Sequence, residues 1–364
     1  MVTTVILEGI QNSANLVINK QRLSIDNLTF KLFYQWTVAQ LICFSILISC
    51  NQVFGESIVC DLPRKGVNQN VLQSYCLMYS TFNIPSSFTG PCARTQPRES
   101  VYNTYYQWVA IFLMIQSIIF YIPRIIWLML EGGLMSYLGK GTTGKLIEDM
   151  DQKTDALLSV FKDQLENKYN RYTFLFFFCE ILNIIILISQ FFITNVFLQR
   201  QFLDYGPKVF SFYQKTQDEV MLNNEINPMC EVFPRIASCN YWKYGGAGAQ
   251  MRYTALCILS LNIIIDKIYV WLWFWYVCLF CIGIVKIISQ IFITTSRRIR
   301  FWMMQMKMHR FFKEGEDLRH IRSYLDSCKV GDWFVLYQMS KNLNKRFFYD
   351  FLVKLSKEGK VHSL

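Results

Sequence analysis

The sequence predicts an all-α membrane protein with four transmembrane helices, cytosolic termini, two disulfide-linked extracellular loops and a helical cytosolic region. Three observations predict it. The chain carries four apolar runs long enough to cross a bilayer. Its basic residues are spread unevenly over the segments between those runs. Six of its twelve cysteines sit in two of those segments. The bulk composition agrees, since 52% of the 364 residues are hydrophobic and only 17% charged, against about 25% charged in an ordinary soluble domain. A chain this apolar collapses rather than staying disordered.

The elements follow in order. Segment 1–29 holds Glu8, Lys20, Arg22 and Asp26, where a secretory signal needs a basic start and a short apolar core. The run behind it is therefore expected to stay in the membrane. On a helix, Val2, Val5, Ile6 and Ile10 share one face, and Thr3, Thr4, Glu8, Gln11 and Asn12 lie away from it. That pattern suits an interfacial helix on the cytosolic leaflet. The apolar runs are 30–50, 105–130, 172–198 and 268–295. Each meets the requirement of about 20 residues for a hydrocarbon core of about 30 Å, and each exceeds the average soluble helix of about 11–12 residues. Loops 51–104 and 199–267 then lie on one side, with loop 131–171 and the tail 296–364 on the other.

Charge sets the direction. Of the 37 Lys and Arg residues, 25 lie in or beside 1–29, 131–171 and 296–364, and 11 lie in 51–104 and 199–267. The positive-inside rule then puts both termini in the cytosol. The tail alone carries +8 of the net +11. A basic cytosolic surface fits anionic inner-leaflet lipid, so membrane lipid is an expected partner and nucleic acid is not. Within these cytosolic parts, 149–169 and Trp333–Leu355 read as helices from their apolar spacing.

Polar residues inside the spans carry the next inferences. Thr37, Ser45, Ser49 and Gln52 fall within about 120° on the first helix. They suit a lumen-facing strip, and small residues at such spacing equally mark helix–helix contact. In the third span, Glu180, Asn183, Gln190 and Thr194 form a stripe within about 80°. An ionised Glu facing lipid costs several kcal/mol, so the stripe is expected to face the bundle. Lys286 lies at similar depth in the fourth span, and either pairs with Glu180 or snorkels to the inner surface. Trp271, Trp273 and Trp275 read as interface anchors.

The outer loops hold Cys60, Cys76 and Cys92, then Cys230, Cys239 and Cys257. The extracellular side permits disulfides, and three cysteines per loop suggest loop-to-loop bridges, with free thiols or pairing within a loop as the alternative. Cys60 lies ten residues past the first run and Cys257 eleven before the fourth, so both sit at similar heights. Moving outward gives nested rungs: Cys60–Cys257, Cys76–Cys239, Cys92–Cys230. All three histidines are in the tail, away from this cluster, which argues against zinc. No catalytic triad, phosphate loop, dinucleotide fingerprint or metal box is present, so no enzyme, cofactor or metal is expected.

Tyr105-Tyr106-Gln107-Trp108-Val109, at the start of the second span, resembles the signature pentapeptide of the innexins, the invertebrate gap-junction proteins. Further matches agree in order and spacing: Asp26-Asn27 before Phe30-Lys31-Leu32, Tyr75-Cys76, Phe120-Tyr121-Ile122-Pro123-Arg124, Glu131-Gly132-Gly133 and Cys179-Glu180-Ile181-Leu182-Asn183. The longest runs from Phe233-Pro234-Arg235 through Cys239, Cys257 and Leu261-Asn262-Ile263 to Leu272-Trp273-Phe274-Trp275. The resemblance implies a plasma-membrane channel subunit at cell junctions that forms a ring, as a homo- or hetero-oligomer with other innexins. The ring would dock with the same ring of an apposed cell and pass ions and small metabolites. It implies that the leader folds into the pore mouth, so that Val2, Thr3, Thr4 and Glu8 line the pore with Thr37, Ser45, Ser49 and Gln52. It also implies the bonds Cys60–Cys257 and Cys76–Cys239. Ser260 stands where innexins usually have Pro, Glu56-Ser57 where they have Asp-Pro, and Cys92 and Cys230 are additional. The alternatives are an undocked plasma-membrane hemichannel of the pannexin kind and a non-conducting four-span adhesion or scaffold protein.

Overall fold

The computed structural model describes residues 25–62, 67–79, 81–82, 102–139, 142, 149–163, 168–215, 218, 220, 227–246, 248–309, 311 and 316–358. In chain order these form α1 (Leu28–Phe54), β1 (Val59–Asp61), α2 (Gln69–Tyr79), β2 (Thr81–Phe82), β3 (Tyr102–Asn103), α3 (Val109–Glu131) and α4 (Leu134–Leu138). There follow α5 (Met150–Asp163), α6 (Lys168–Phe197), α7 (Tyr205–Gln214), α8 (Pro228–Val232), β4 (Ile236–Tyr244) and β5 (Gln250–Ile258). The C-terminal part is α9 (Ser260–Thr295), α10 (Arg297–Met308), α11 (Glu316–Ser327), α12 (Val330–Asn342) and α13 (Lys345–Glu358).

Among the described residues, α1, α3, α6 and α9 are the helices long and apolar enough to cross a membrane. They coincide with the four apolar runs, with shifted ends. The largest shift is at α9, which begins at Ser260 rather than 268. Asn262, Asp266 and Lys267 read as loop because they are polar, but the segment before β4 satisfies two of them: the Asn262 amide donates to the Pro234 carbonyl at 2.7 Å, and Asp266 pairs with Arg235 at 2.9 Å. At the other end of α3, the Glu-Gly-Gly turn has a local cause. Gly132 and Gly133 take φ of +59° and +79°, which favours glycine. The turn lets the Glu131 carboxylate accept from the Gly133 and Met135 amides at 2.8 and 2.7 Å, capping α4.

The outer loops also contain a sheet, which the all-α reading did not anticipate. Its order is β1-β5-β4-β2-β3, all antiparallel. The hairpin β4–β5 turns through Gly245–Ala249, closed by the Gly245 amide on the Ala249 carbonyl at 2.8 Å, with Gly248 at φ +76°. Strands β1, β2 and β3 come from the first loop and β4 and β5 from the second. The two loops are thus one sheet, held by backbone hydrogen bonds as well as by sulfur.

The described structure forms two compact units. One is made of the described residues within Met1–Phe30, Arg124–Glu180 and Lys286–Leu364, the other of those within Lys31–Pro123 and Ile181–Val285. The core of the first is aromatic. Trp127, fully buried, packs edge-on against Tyr172 and Phe176 at 5.1 and 4.9 Å, and Phe176 also meets Phe30 and Phe334. Helix α12 approaches α6 closely at Gly331, whose amide donates to Asn170 Oδ1 at 2.9 Å. A Cβ there would lie 2.4 Å from the Asn170 nitrogen, so only glycine fits. The second unit contains the sheet and a stacked pair, Phe233 on Tyr269 at 5.4 Å.

Candidate functional site

The stapled loops are the most built-up feature of the second unit. Cys60 on β1 lies directly opposite Cys257 on β5, and the two are bonded with Cα atoms 4.0 Å apart. Cys76 on α2 is bonded to Cys239 on β4, with Cα atoms 5.7 Å apart. All four are buried. Three of the sulfurs, those of Cys60, Cys76 and Cys257, lie within 4.8 Å of one another, but as disulfides they offer no thiolate to a metal. Cys230 on α8 is also disulfide-bonded. Cys92, which the nested order assigns to it, lies outside the described residues.

The signature pentapeptide braces this scaffold. Tyr105 meets Phe233 edge-on at 5.8 Å, Tyr106 and Val109 are buried, and Trp108 is exposed. The Gln107 amide donates to the Leu77 carbonyl and, at 3.3 Å, to the Met78 carbonyl at the end of α2. It thus satisfies carbonyls that the helix leaves unpaired. The Arg235–Asp266 pair was missed at the sequence level. Its signal was an acid beside an apolar run, Asp266, following a Pro-Arg pair at 234–235. Two of the family departures also meet: the Ser260 hydroxyl donates to the Glu56 carbonyl.

On α1, Thr37 and Ser45 are buried against other helices of the same chain. The Ser45 hydroxyl donates to the Ala110 carbonyl of α3 at 2.8 Å. The Thr37 hydroxyl donates to the Leu32 carbonyl at 2.9 Å and accepts the Trp275 indole at 3.0 Å. The Leu32 carbonyl also accepts the Thr37 backbone amide, closing a π turn over Leu32–Trp36. Gln52 is half-buried and donates to the Tyr106 carbonyl at 2.9 Å, and Ser49 is half-buried. Thr37, Ser45 and Gln52 thus each hydrogen-bond within the chain. Val2, Thr3, Thr4 and Glu8 lie outside the described residues.

The indoles of all three tryptophans hydrogen-bond within the protein, that of Trp275 to Thr37 as above. The Trp271 indole donates to Gln40 Oε1 at 3.1 Å and that of Trp273 to the Leu203 carbonyl at 3.1 Å. Trp273 lies so close to Gly206 that a Cβ on that glycine would sit 2.2 Å from the ring. The early start of α9 places Trp271 eleven residues inside the helix, roughly 16 Å from its first turn.

The first unit gathers charged groups at the inner ends of the spans. Asp26 pairs with Arg124, and both are largely buried. Glu180 Oε1 accepts from the Asn27 amide at 3.3 Å and lies 3.9 Å from the Lys286 ammonium. The Lys341 ammonium of α12 donates to Asn27 Oδ1 at 2.8 Å and to Gln338 Oε1 at 3.3 Å. Glu180 is buried; the rest of its stripe, Asn183, Gln190 and Thr194, belongs to the second unit and is buried there, where Gln116 of α3 donates to Thr194 at 2.8 Å.

Comparison with known proteins follows this geometry. A family model described as Innexin matches residues 26–359. Innexin inx2 of Drosophila melanogaster is 34% identical over 354 residues, covering 93% of each chain. Innexin inx2 of Schistocerca americana is 32% identical over 351 residues, covering 92% of this chain and 94% of its own. Innexin shaking-B of Drosophila melanogaster is 30% identical over 364 residues, covering 96% of this chain and 94% of its own.

Proposed function

We infer, from the premise that this chain belongs to the innexin family, how its subunits make an intercellular path. Innexins form gap-junction channels, and this chain is a channel subunit rather than an enzyme, a multi-pass protein of the plasma membrane at cell junctions that passes ions and small metabolites. Copies of the chain, alone or mixed with other innexins, close into a ring through heterologous contacts. The lumen lowers the cost of moving hydrated ions across hydrocarbon. The ring docks with the same ring of an apposed cell through the extracellular loops.

One observation carries the docking step, the fusion of both loops into a single sheet with two buried inter-loop bonds. A surface fixed before contact loses less conformational entropy on docking. The bonded state of Cys230 supports the third rung, with Cys92 as its partner, which adds a further constraint between the loops. The leader, with Val2, Thr3, Thr4 and Glu8, is assigned to the pore mouth by family resemblance.

Paired oocytes expressing the full chain test the reading. Junctional current is the expected result. Current confined to single oocytes identifies a hemichannel instead, and silence in both identifies an adhesion or scaffold protein. Cys76→Ser with Cys239→Ser is expected to remove junctional current while leaving protein at the surface. Retained junctional current in that variant overturns the role given to the scaffold.

A further inference from the structure

Helix α10 follows α9 after a one-residue break at Ser296, where the backbone is extended. It therefore starts where the fourth span ends. Its inner face is fixed. Arg300, Met304 and Met308 are buried, the Trp333 indole donates to the Arg300 carbonyl at 3.1 Å, and Arg300 reaches the Cys328 carbonyl at 3.3 Å. The opposite face is open. Trp302 is 58% exposed and Met306, one turn on, is 60% exposed, while Ile299 is half-buried. Arg297 and Arg298 are exposed at the first turn, and the helix contains no acidic residue. The last turns of α9 expose Ile291 and Phe292, so apolar surface continues from the span to the neighbouring helix.

Large apolar groups, a tryptophan among them, beside two arginines at the inner end of a span match what a headgroup boundary requires. The apolar body enters the acyl region and the guanidinium groups meet phosphate. We propose that the outward face and exposed first turn of α10 bind anionic phospholipid of the inner leaflet, with Trp302 and Met306 at the acyl boundary and the first-turn Arg297 and Arg298 on the headgroups. The inference rests on the orientation that places 296–364 in the cytosol, and narrows the basic tail to one surface.

The test uses the full chain carrying benzoylphenylalanine in place of Trp302, and separately in place of Met306, in liposomes of phosphatidylcholine with a minority of phosphatidylserine. Illumination and mass analysis identify what each position touches. The expected result is phosphatidylserine adducts about fivefold above bulk proportion at both positions. In Arg297→Gln with Arg298→Gln the ratio falls to the bulk value. Adducts that mirror bulk lipid, adducts to a second copy of the chain, or no lipid adduct overturn the proposal. Conductance of the same proteins reports the channel separately, so a conducting protein without the lipid preference refutes this surface and leaves the channel reading standing.

Discussion

Ser260 shows how a departure from a family pattern can be compensated at the level of one residue. Proline suits the first turn of a helix, because its missing N–H would be unpaired there in any case. Ser260 occupies that first turn of α9 and uses its hydroxyl to reach the Glu56 carbonyl. Ser260→Pro removes that bond and is expected to cost about 1 kcal/mol, read as a lower melting temperature in detergent. An unchanged melt shows that the bond contributes nothing. Asp332 makes a different residue-scale case. Burial raises its carboxyl above the ordinary 3.8, opposed by the charge of Lys329 and by a hydrogen bond from the Lys329 backbone. Because the folded state holds the proton more tightly than the unfolded one, stability falls as pH rises from 3.8 through the native value. Asp332→Asn escapes this loss. The variant is expected to gain stability over the parent as pH rises through that window, and the gain should vanish in acid. A difference that is constant with pH refutes the titration.

At the scale of elements, legibility followed the strength of the local signal. Four spans were readable because length and apolarity together admit few other structures. The sheet was not read, although Ile236–Tyr244 and Gln250–Ile258 flank a glycine-bearing turn, a known hairpin signal. The cysteine count directed attention to sulfur, when backbone pairing joins the loops as well. The α1 strip shows a limit of periodicity, which finds residues that share a face but not what that face meets. Ser45 faces α3. Ser45→Ala is therefore expected to cost about 1 kcal/mol of stability through the lost bond and to leave single-channel conductance unchanged. A changed conductance with an unchanged melt returns Ser45 to the lumen.

On the scale of the whole molecule, one part-buried polar cluster joins parts of the chain that no local pattern connects. Asn27 and Lys341, 314 residues apart, share a hydrogen bond, and Asn27 also donates to Glu180. Glu180 and Lys286 could be picked from sequence because a charge in a span is costly. Asn27 and Lys341 could not, because each lies in a polar segment where such residues are ordinary. The cluster ties the entrance of α1 and the inner ends of α6 and α9 to α12, all within one unit. Its energetics can be separated by a double-mutant cycle. At 3.9 Å, with Lys286 about one-fifth exposed, the Glu180–Lys286 contact is long. Lys286→Met should therefore cost less than the about 3 kcal/mol typical of breaking a close buried pair. Glu180→Gln removes the charge that Lys286 balances, but keeps an oxygen to accept from Asn27. If the two charges are coupled, the double variant melts above Lys286→Met alone, because no uncompensated carboxylate remains. Strict additivity of the two changes, measured as melting shifts of the assembled protein, means that Lys286 reaches the inner surface independently and that Asn27 and Lys341 hold Glu180.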